Sequence, residues 1–284
     1  MSKTAPKVSV VVPVYNRIQL TTTFLRKFSE VSYPNFEIII VDDGSTDGTA
    51  EMVRNQFPSV RLLQEKGNLW WAKATNLGIR DALERGTDYI VTMNDDVTFK
   101  SDFLEKLVQV GQQNPRTLAG ALVYEHTNPD NLWYAGGRMA WFQGELIHRH
   151  ALDDGPLLWL TGMGTLIPAS AFEEIGFYDE KRFPQYAADV DYTLRARQRG
   201  FKLIIASESV LWNRAEESSQ LLVRRNITIG NILLPMFSRK SDSMLSMRVC
   251  LYWRHWPAFL IPIAFLVYYT RFLSKQLLRL FKLR

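Results

Sequence analysis

Two hydrophobic periods alternate along the first 125 residues. Residues 8–14 form a nearly unbroken run of β-branched side chains ending at Tyr15-Asn16, and residues 36–41, 60–63, 89–93 and 118–124 repeat the pattern. Short apolar runs of this kind predict strands buried on both faces of a sheet. Between them the spacing turns helical. Leu20, Phe24, Leu25 and Phe28 share one helix face, residues 46–56 follow as a capped helix, and 72–85 end at Gly86, a natural C-cap. Ser101 is placed to cap a helix over 102–112. Strands alternating with helices predict an α/β fold built from βαβ units, with a mostly parallel sheet.

Past residue 130 the alternation weakens. Residues 133–141 and 157–168 read as extended segments around the turn Gly162-Met163-Gly164. A helix over 189–200 and a strand over 202–206 follow, and from Leu221 the chain is apolar and basic by turns. There is no internal repeat.

Composition narrows the class. With 46% hydrophobic and 22% charged residues the chain can bury a core, which excludes a disordered polymer. Cys250 is the single cysteine, so no internal disulfide framework or multi-cysteine zinc site exists. Residues 1–7 hold no apolar run of the secretory-signal type. The formal charge of +5 hides an asymmetry: residues 239–284 carry nine Lys and Arg against Asp242 alone, or +8, which leaves −3 on residues 1–238. The chain therefore divides into a body, 1–238, and a basic helical tail, 239–284. Within the tail, 256–269 is uncharged but contains Pro257 and Pro262. As a helix this run spans ~21 Å, short of a bilayer core of ~30 Å. Arg254 and Arg271 flank it, and beyond it aliphatic residues alternate with Lys275, Arg279, Lys282 and Arg284. That pattern suits a helix lying in or dipping into an anionic membrane surface. Core packing or a homodimer interface is the competing use of the same run. No nucleic-acid partner is expected, because the basic residues alternate with aliphatics.

Acidic pairs end two of the strands, in Asp42-Asp43-Gly44-Ser45 and Asn94-Asp95-Asp96. Ligands of open α/β sheets collect outside the carboxyl ends of the strands. A carboxylate there suits a ribose hydroxyl or a base N–H, and a pair facing phosphates suits Mg2+ or Mn2+. Each pair alone is equally good turn chemistry. Two such pairs on one sheet are much rarer by chance.

The segments Val8-Ser-Val-Val-Val-Pro-Val-Tyr-Asn16, Val41-Asp-Asp-Gly-Ser-Thr-Asp47 and Asn94-Asp-Asp96, in this order, resemble family 2 glycosyltransferases of the GT-A fold. The resemblance runs over about residues 6–215, through Gly67-Asn-Leu-Trp-Trp-Ala-Lys-Ala-Thr-Asn-Leu-Gly78, Gly162-Met-Gly-Thr-Leu-Ile-Pro168 and Phe183-Pro-Gln-Tyr-Ala-Ala-Asp-Val-Asp191. The double Trp and the Ala-Asp pair are similar to a bacterial, rhamnosyltransferase-like subgroup. The resemblance implies that Pro13, Tyr15 and Asp43 meet the nucleotide base, with Asp43 accepting from a pyrimidine N3–H. It implies that Asn94 opens an Asp-X-Asp-like motif in which Asp95 meets the ribose and Asp96 the metal, and that Lys73 and Asn76 lie near the nucleotide. It makes Asp189 the catalytic base and places Trp70, Trp71, Gly162, Met163, Gly164, Asp191 and Arg195 on the sugar or acceptor side. Asp191 and Arg195 are also spaced to pair along one helix. For Trp133, Trp141 and Trp159, core packing is the default reading. The chain departs from the family pattern twice: Ala188 stands where a Glu precedes the base, and Asn213 where a metal-binding His follows the last core strand.

The implied activity is inverting transfer of a sugar from a UDP- or dTDP-sugar to a hydroxyl of a lipid-linked or polysaccharide acceptor, at the cytoplasmic face of the cytoplasmic membrane. Two other readings stand beside it. A nucleotidyltransferase would show a Gly-rich basic loop after the first strand, where this chain has Pro13-Val14-Tyr15-Asn16-Arg17. A non-catalytic, membrane-bound partner of a transferase would accommodate Ala188 and Asn213.

Overall fold

A computed structural model describes residues 5–214 and 232–282; the alternation that starts at Leu221 lies outside the described residues as far as 231. The first half follows the βαβ reading. It comprises β1 (Val8–Val14), α1 (Ile18–Phe28), β2 (Phe36–Asp42), α2 (Thr49–Gln56), β3 (Arg61–Gln64), α3 (Trp70–Glu84) and β4 (Tyr89–Thr92). After β5 (Val97–Phe99) and α4 (Phe103–Gln113) come β6 (Thr117–Glu125), β7 (Leu132–Tyr134), β8 (Gly137–Ala140), β9 (Glu145–His148) and β10 (Thr165–Pro168). Then α5 (Ala169–Ile175), α6 (Ala188–Gln198) and β11 (Lys202–Asn213) complete the body.

Among the described residues, nine strands form one sheet, in the order β3-β2-β1-β4-β10-β6-β11-β5, with β7 on β6. The parallel pairing expected from the alternation holds for β1 with β2 and β4, for β2 with β3, and for β6 with β11. The sheet as a whole is mixed, because β10 inserts antiparallel between β4 and β6 and β5 runs antiparallel to β11. Of the extended segment 157–168, only Thr165–Pro168 is a strand. The rest loops past the end of β4, where Gly164 N–H donates to Thr92 O. The helix after β5 begins at Phe103 with Asp102 as its N-cap, and no side chain caps it. Ser101 instead uses its carbonyl to accept from Ser32 N–H.

β1 is buried along almost its whole length, and Phe24, Phe28 and Phe103 cluster around Phe99 of β5, the first two edge-on and the last tilted. Trp159 is buried, Trp141 packs on Trp256 at 5.3 Å, and Trp133 packs on His148 at 4.6 Å. All three thus serve packing.

The tail forms α7 (Leu245–His255) and α8 (Ile261–Lys282), with Pro262 in the first turn of α8, where a missing N–H is harmless. Helix α7 docks on the body. Tyr252 OH and Arg248 Nη1 donate to Gly144 O at 2.5 and 3.1 Å, and Trp256 Nε1 donates to Trp141 O at 2.9 Å. Met247, Leu251, Tyr252 and Trp256 extend the body's buried core. Within α8, Tyr268 and Phe272 turn inward, whereas Trp253 of α7, Phe259 and Leu266 face outward. The stretch Ala258–Leu280 is long and apolar enough to cross a membrane by length and composition.

Helix α3 rests directly on β1 and β2 at Gly78, where an added Cβ would lie 2.5 Å from Val11 Cγ1 and 3.0 Å from Val41 Cγ2. Gly78→Ala is expected to cost about 1–3 kcal/mol by overpacking, in spite of alanine's better helix propensity. A urea midpoint at or above that of the wild type would contradict it.

Candidate active site

The carboxyl edge of β1, β2 and β4 carries the site. The turns after β1 and β2 are knotted together: Asn16 N–H donates to Ser45 Oγ at 2.9 Å, and Thr46 N–H donates to Asn16 Oδ1 at 2.7 Å. This leaves Tyr15 exposed and Pro13 half-buried at the strand's end. Asp42 is fully buried, and burial raises its carboxyl. Asp43 is half-buried and accepts from Leu69 N–H at 2.8 Å and Trp70 N–H at 3.0 Å. Its carboxylate thereby sits at the positive N-terminal end of α3. The turns after β2 and β3 touch so closely that a Cβ at Gly44 would lie 2.6 Å from Gly67 N, and both glycines adopt positive φ, +77° and +99°.

At the end of β4, Asp95 and Asp96 are nearly buried. Asp95 Oδ1 accepts from Arg17 Nη1 at 2.9 Å and Oδ2 from Thr21 Oγ1 at 2.8 Å. Asp96 Oδ2 accepts from the same Arg17 Nη1 at 3.0 Å. Asp96 Oδ1 is buried without a hydrogen-bond partner among the described residues. Burial raises the Asp95 carboxyl, although the Arg17 charge opposes it. Asn213 reaches the same place, because β5 pairs it with Val97, and the next amide, Arg214 N–H, donates to Asp96 O at 2.9 Å.

Trp71 joins this edge to the rest of the site. Its Nε1 donates to Asn94 Oδ1 at 3.1 Å, and its backbone N–H donates to Gln185 Oε1 at 3.2 Å. Its ring lies so close over Gly162 that a Cβ there would meet it at 2.4 Å. Trp70 begins α3 in a left-handed backbone conformation and donates from Nε1 to Asn68 Oδ1. Gly162 N–H in turn donates to Asp189 Oδ2 at 2.8 Å, while Asp189 Oδ1 accepts from Val190 N–H at 2.9 Å. Burial raises the Asp189 carboxyl above its ordinary value, and these amides offset only part of the rise. Met163 is buried behind the loop. Four separated motifs thus meet in one contact chain running from Asn94 through Trp71 and Gly162 to Asp189.

Other residues expected here are used differently. Asn76 is buried and ties its helix to the loop before α6: Nδ2 donates to Tyr178 O at 3.0 Å and Oδ1 accepts from Tyr178 N–H at 3.1 Å. Lys73 projects from α3 into solvent. Asp191 and Arg195 do pair, at 2.8 Å, but away from any open surface, since the Asp191 side chain is fully buried. Two tail residues join them. Arg254 Nη1 and His255 Nε2 both donate to Asp191 Oδ1, at 2.7 and 2.9 Å, and Arg254 Nη2 also reaches Asp179 Oδ2 at 2.8 Å. The first turn of α6 is therefore bolted to the tail. Arg254 and His255 carry no local sequence signal for this, and Arg17 and Thr21 show only their place just after β1.

The profile of Glycosyl transferase family 2 matches residues 9–176. The N-acetylglucosaminyl-diphospho-decaprenol L-rhamnosyltransferase of Mycobacterium tuberculosis is 26% identical over 226 residues, spanning 69% of this chain and 73% of that protein. Glycosyltransferase GlyG of Streptococcus pneumoniae is 26% identical over 251 residues, 84% of this chain and 81% of that protein. Among solved structures, the Pyrobaculum calidifontis mannosyltransferase PcManGT, in complex with GDP-Man and Mn2+, superposes with a TM-score of 0.60 at 16% identity, over 98% of this chain and 88% of that one. S. aureus TarS 1-349 does so with a TM-score of 0.57 at 15% identity, over 92% and 78%. At these identities the structures establish a shared fold, of the GT-A type.

Burial pushes the Asp191 carboxyl up, but the His255 hydrogen bond, the Arg195 charge and the Arg254 and Arg195 hydrogen bonds outweigh it, so the net shift is downward. Asp191→Ala is expected to cost about 3–5 kcal/mol at pH 7, because it strands the cations packed around it. The wild type's advantage is complete above the unfolded carboxyl value of about 4 and fades as pH falls through the lower folded value. Urea midpoints of the two proteins that stay equally far apart at pH 7 and pH 2 would contradict this.

Proposed function

The chain belongs to glycosyltransferase family 2, and we propose that it is an inverting transferase moving a sugar from a UDP- or dTDP-sugar to a hydroxyl of a lipid-linked or polysaccharide acceptor, with Asp189 as the general base. The observation that carries this reading is the Asp189 carboxylate, raised by burial, aimed by the Gly162 amide, and linked through Trp71 to the acidic edge. A carboxylate of raised pKa is the stronger base at neutral pH.

In this reading Asp189 takes the acceptor hydroxyl's proton as that oxygen bonds to the anomeric carbon. The bond from that carbon to the donor diphosphate oxygen breaks, and its electron pair leaves with the diphosphate. Attack opposite the leaving group inverts the anomeric centre. Asp43, Tyr15 and Pro13 flank the base, and Asp95 the ribose. The all-oxygen donors fit Mg2+ or Mn2+, with Asp96 Oδ1 as protein ligand and Asn213 beside it. When bound, such a cation neutralises charge on the departing diphosphate. Trp70 and the Gly162–Gly164 loop flank the sugar and acceptor side.

The tail supports a location. Residues 239–284 carry +8, and α7 and α8 present Trp253 and Leu266, 81% and 70% exposed, beside bases. We read residues 1–238 as the GT-A catalytic domain and 239–284 as a segment that is docked on it and lies on an anionic leaflet. In this reading the active site lies at the cytoplasmic membrane face, near a lipid-borne acceptor of the kind named for the mycobacterial relative.

Asp189→Asn is expected to lower transfer by about 10²–10⁴-fold while donor binding stays close to wild type. Wild-type turnover in that variant would remove Asp189 as base. In a thermal-shift panel, UDP- or dTDP-sugars with Mn2+ should raise the melting point, by about 2.7 kcal/mol of stabilisation at a hundredfold excess over Kd. No response to any pyrimidine nucleotide sugar would argue against the donor class. The full-length chain should sediment with phosphatidylglycerol vesicles more than with phosphatidylcholine vesicles, and Trp253→Glu should weaken it. Equal recovery in the supernatant, or as a dimer that hides Trp253, would refute the membrane reading.

A further inference from the structure

We propose that Arg17 is an exchangeable counter-ion of the Asp95–Asp96 pair: its guanidinium bridges both carboxylates until a nucleoside diphosphate and a divalent cation arrive together, and then turns to the diphosphate. The proposal rests on the donor reading above. One nitrogen, Nη1, stands 2.9 Å from Asp95 Oδ1 and 3.0 Å from Asp96 Oδ2, bridging the two acids from a single point as a cation would. Its other N–H groups make no hydrogen bond to the described residues, and its side chain is 24% exposed, so it has both spare donors and room to turn. A planar guanidinium can pair with phosphate oxygens as readily as with carboxylates.

The charge balance gives the order of events. Two carboxylates against one guanidinium leave −1 at the edge, and the unpartnered Asp96 Oδ1 marks where a further positive ligand would go. A divalent cation arriving alone would place +3 against −2, with the acids nearly buried and poorly screened. A diphosphate supplies the missing negative charge and gives Arg17 a new partner. Cation and diphosphate should therefore bind with strong positive coupling, and Arg17 should be the source of much of that coupling.

The test is Mn2+ binding, followed by electron paramagnetic resonance of free Mn2+, with and without UDP, for the wild type, Arg17→Gln and Arg17→Lys. In the wild type, UDP should tighten Mn2+ binding by about tenfold or more. Arg17→Gln should bind Mn2+ without UDP about tenfold more tightly than the wild type and lose most of the coupling. Arg17→Lys, which keeps the charge, should resemble the wild type without UDP and serves if the neutral variant does not fold. The proposal is overturned if Arg17→Gln binds Mn2+ alone no better than the wild type, or if Arg17→Lys alone already binds Mn2+ tightly without UDP. If wild-type protein binds UDP but shows no coupling to Mn2+, Arg17 is a permanent counter-ion and only this inference falls. If it binds neither UDP nor dTDP, the donor reading falls with it.

Discussion

A carboxylate with no exposed surface organises the docking of the tail on the body of this molecule. Asp191 lies in the first turn of α6, and charge cannot stay buried there unless it is paired and hydrogen-bonded. Arg195, a turn further along, meets one oxygen. The other oxygen takes Arg254 and His255, so α7 must fold back against the body. That requirement brings Tyr252 and Arg248 to Gly144 and Trp256 to Trp141, and it leaves Trp253 and Phe259 on the outer face. One buried charge thus accounts for the inner face of α7, and through it for the apolar surface that the basic tail exposes.

The opposite electrostatic condition holds at the carboxyl edge of β4. Asp95 and Asp96 share a single guanidinium, and one Asp96 oxygen has no partner among the described residues. Asp189 is held by the Gly162 and Val190 amides and the Thr161 side chain, without a cation. Where Asp191 is saturated, these acids are left short of positive charge. That deficit is what a cation with a diphosphate, or a proton from a hydroxyl, can fill. The structure thereby separates a charge-saturated acid from acids short of positive charge, although Asp189 and Asp191 lie on the same turn of one helix.

The sequence by itself determined the elements whose periodicity is local: β1, β2, β4 and β6, the helices between them, and the acids that end the strands. Those features depend on which face of each segment is apolar, and that is written within a few residues. It also carried the motif order that identifies the family. Only the tertiary structure decided what depends on distant partners. The antiparallel entry of β10, and the three- and four-residue strands β5 and β9, are too short to show a period. Asn76 looks like a ligand-facing residue until Tyr178, 102 residues away, claims it. Asp191 looks like half of a helix pair until His255, 64 residues away, completes its shell. The physical reason is common to both. A polar group on a helix reads the same in sequence whether it faces a ligand or a neighbour, and burial, which comes only with packing, decides which partner it must find.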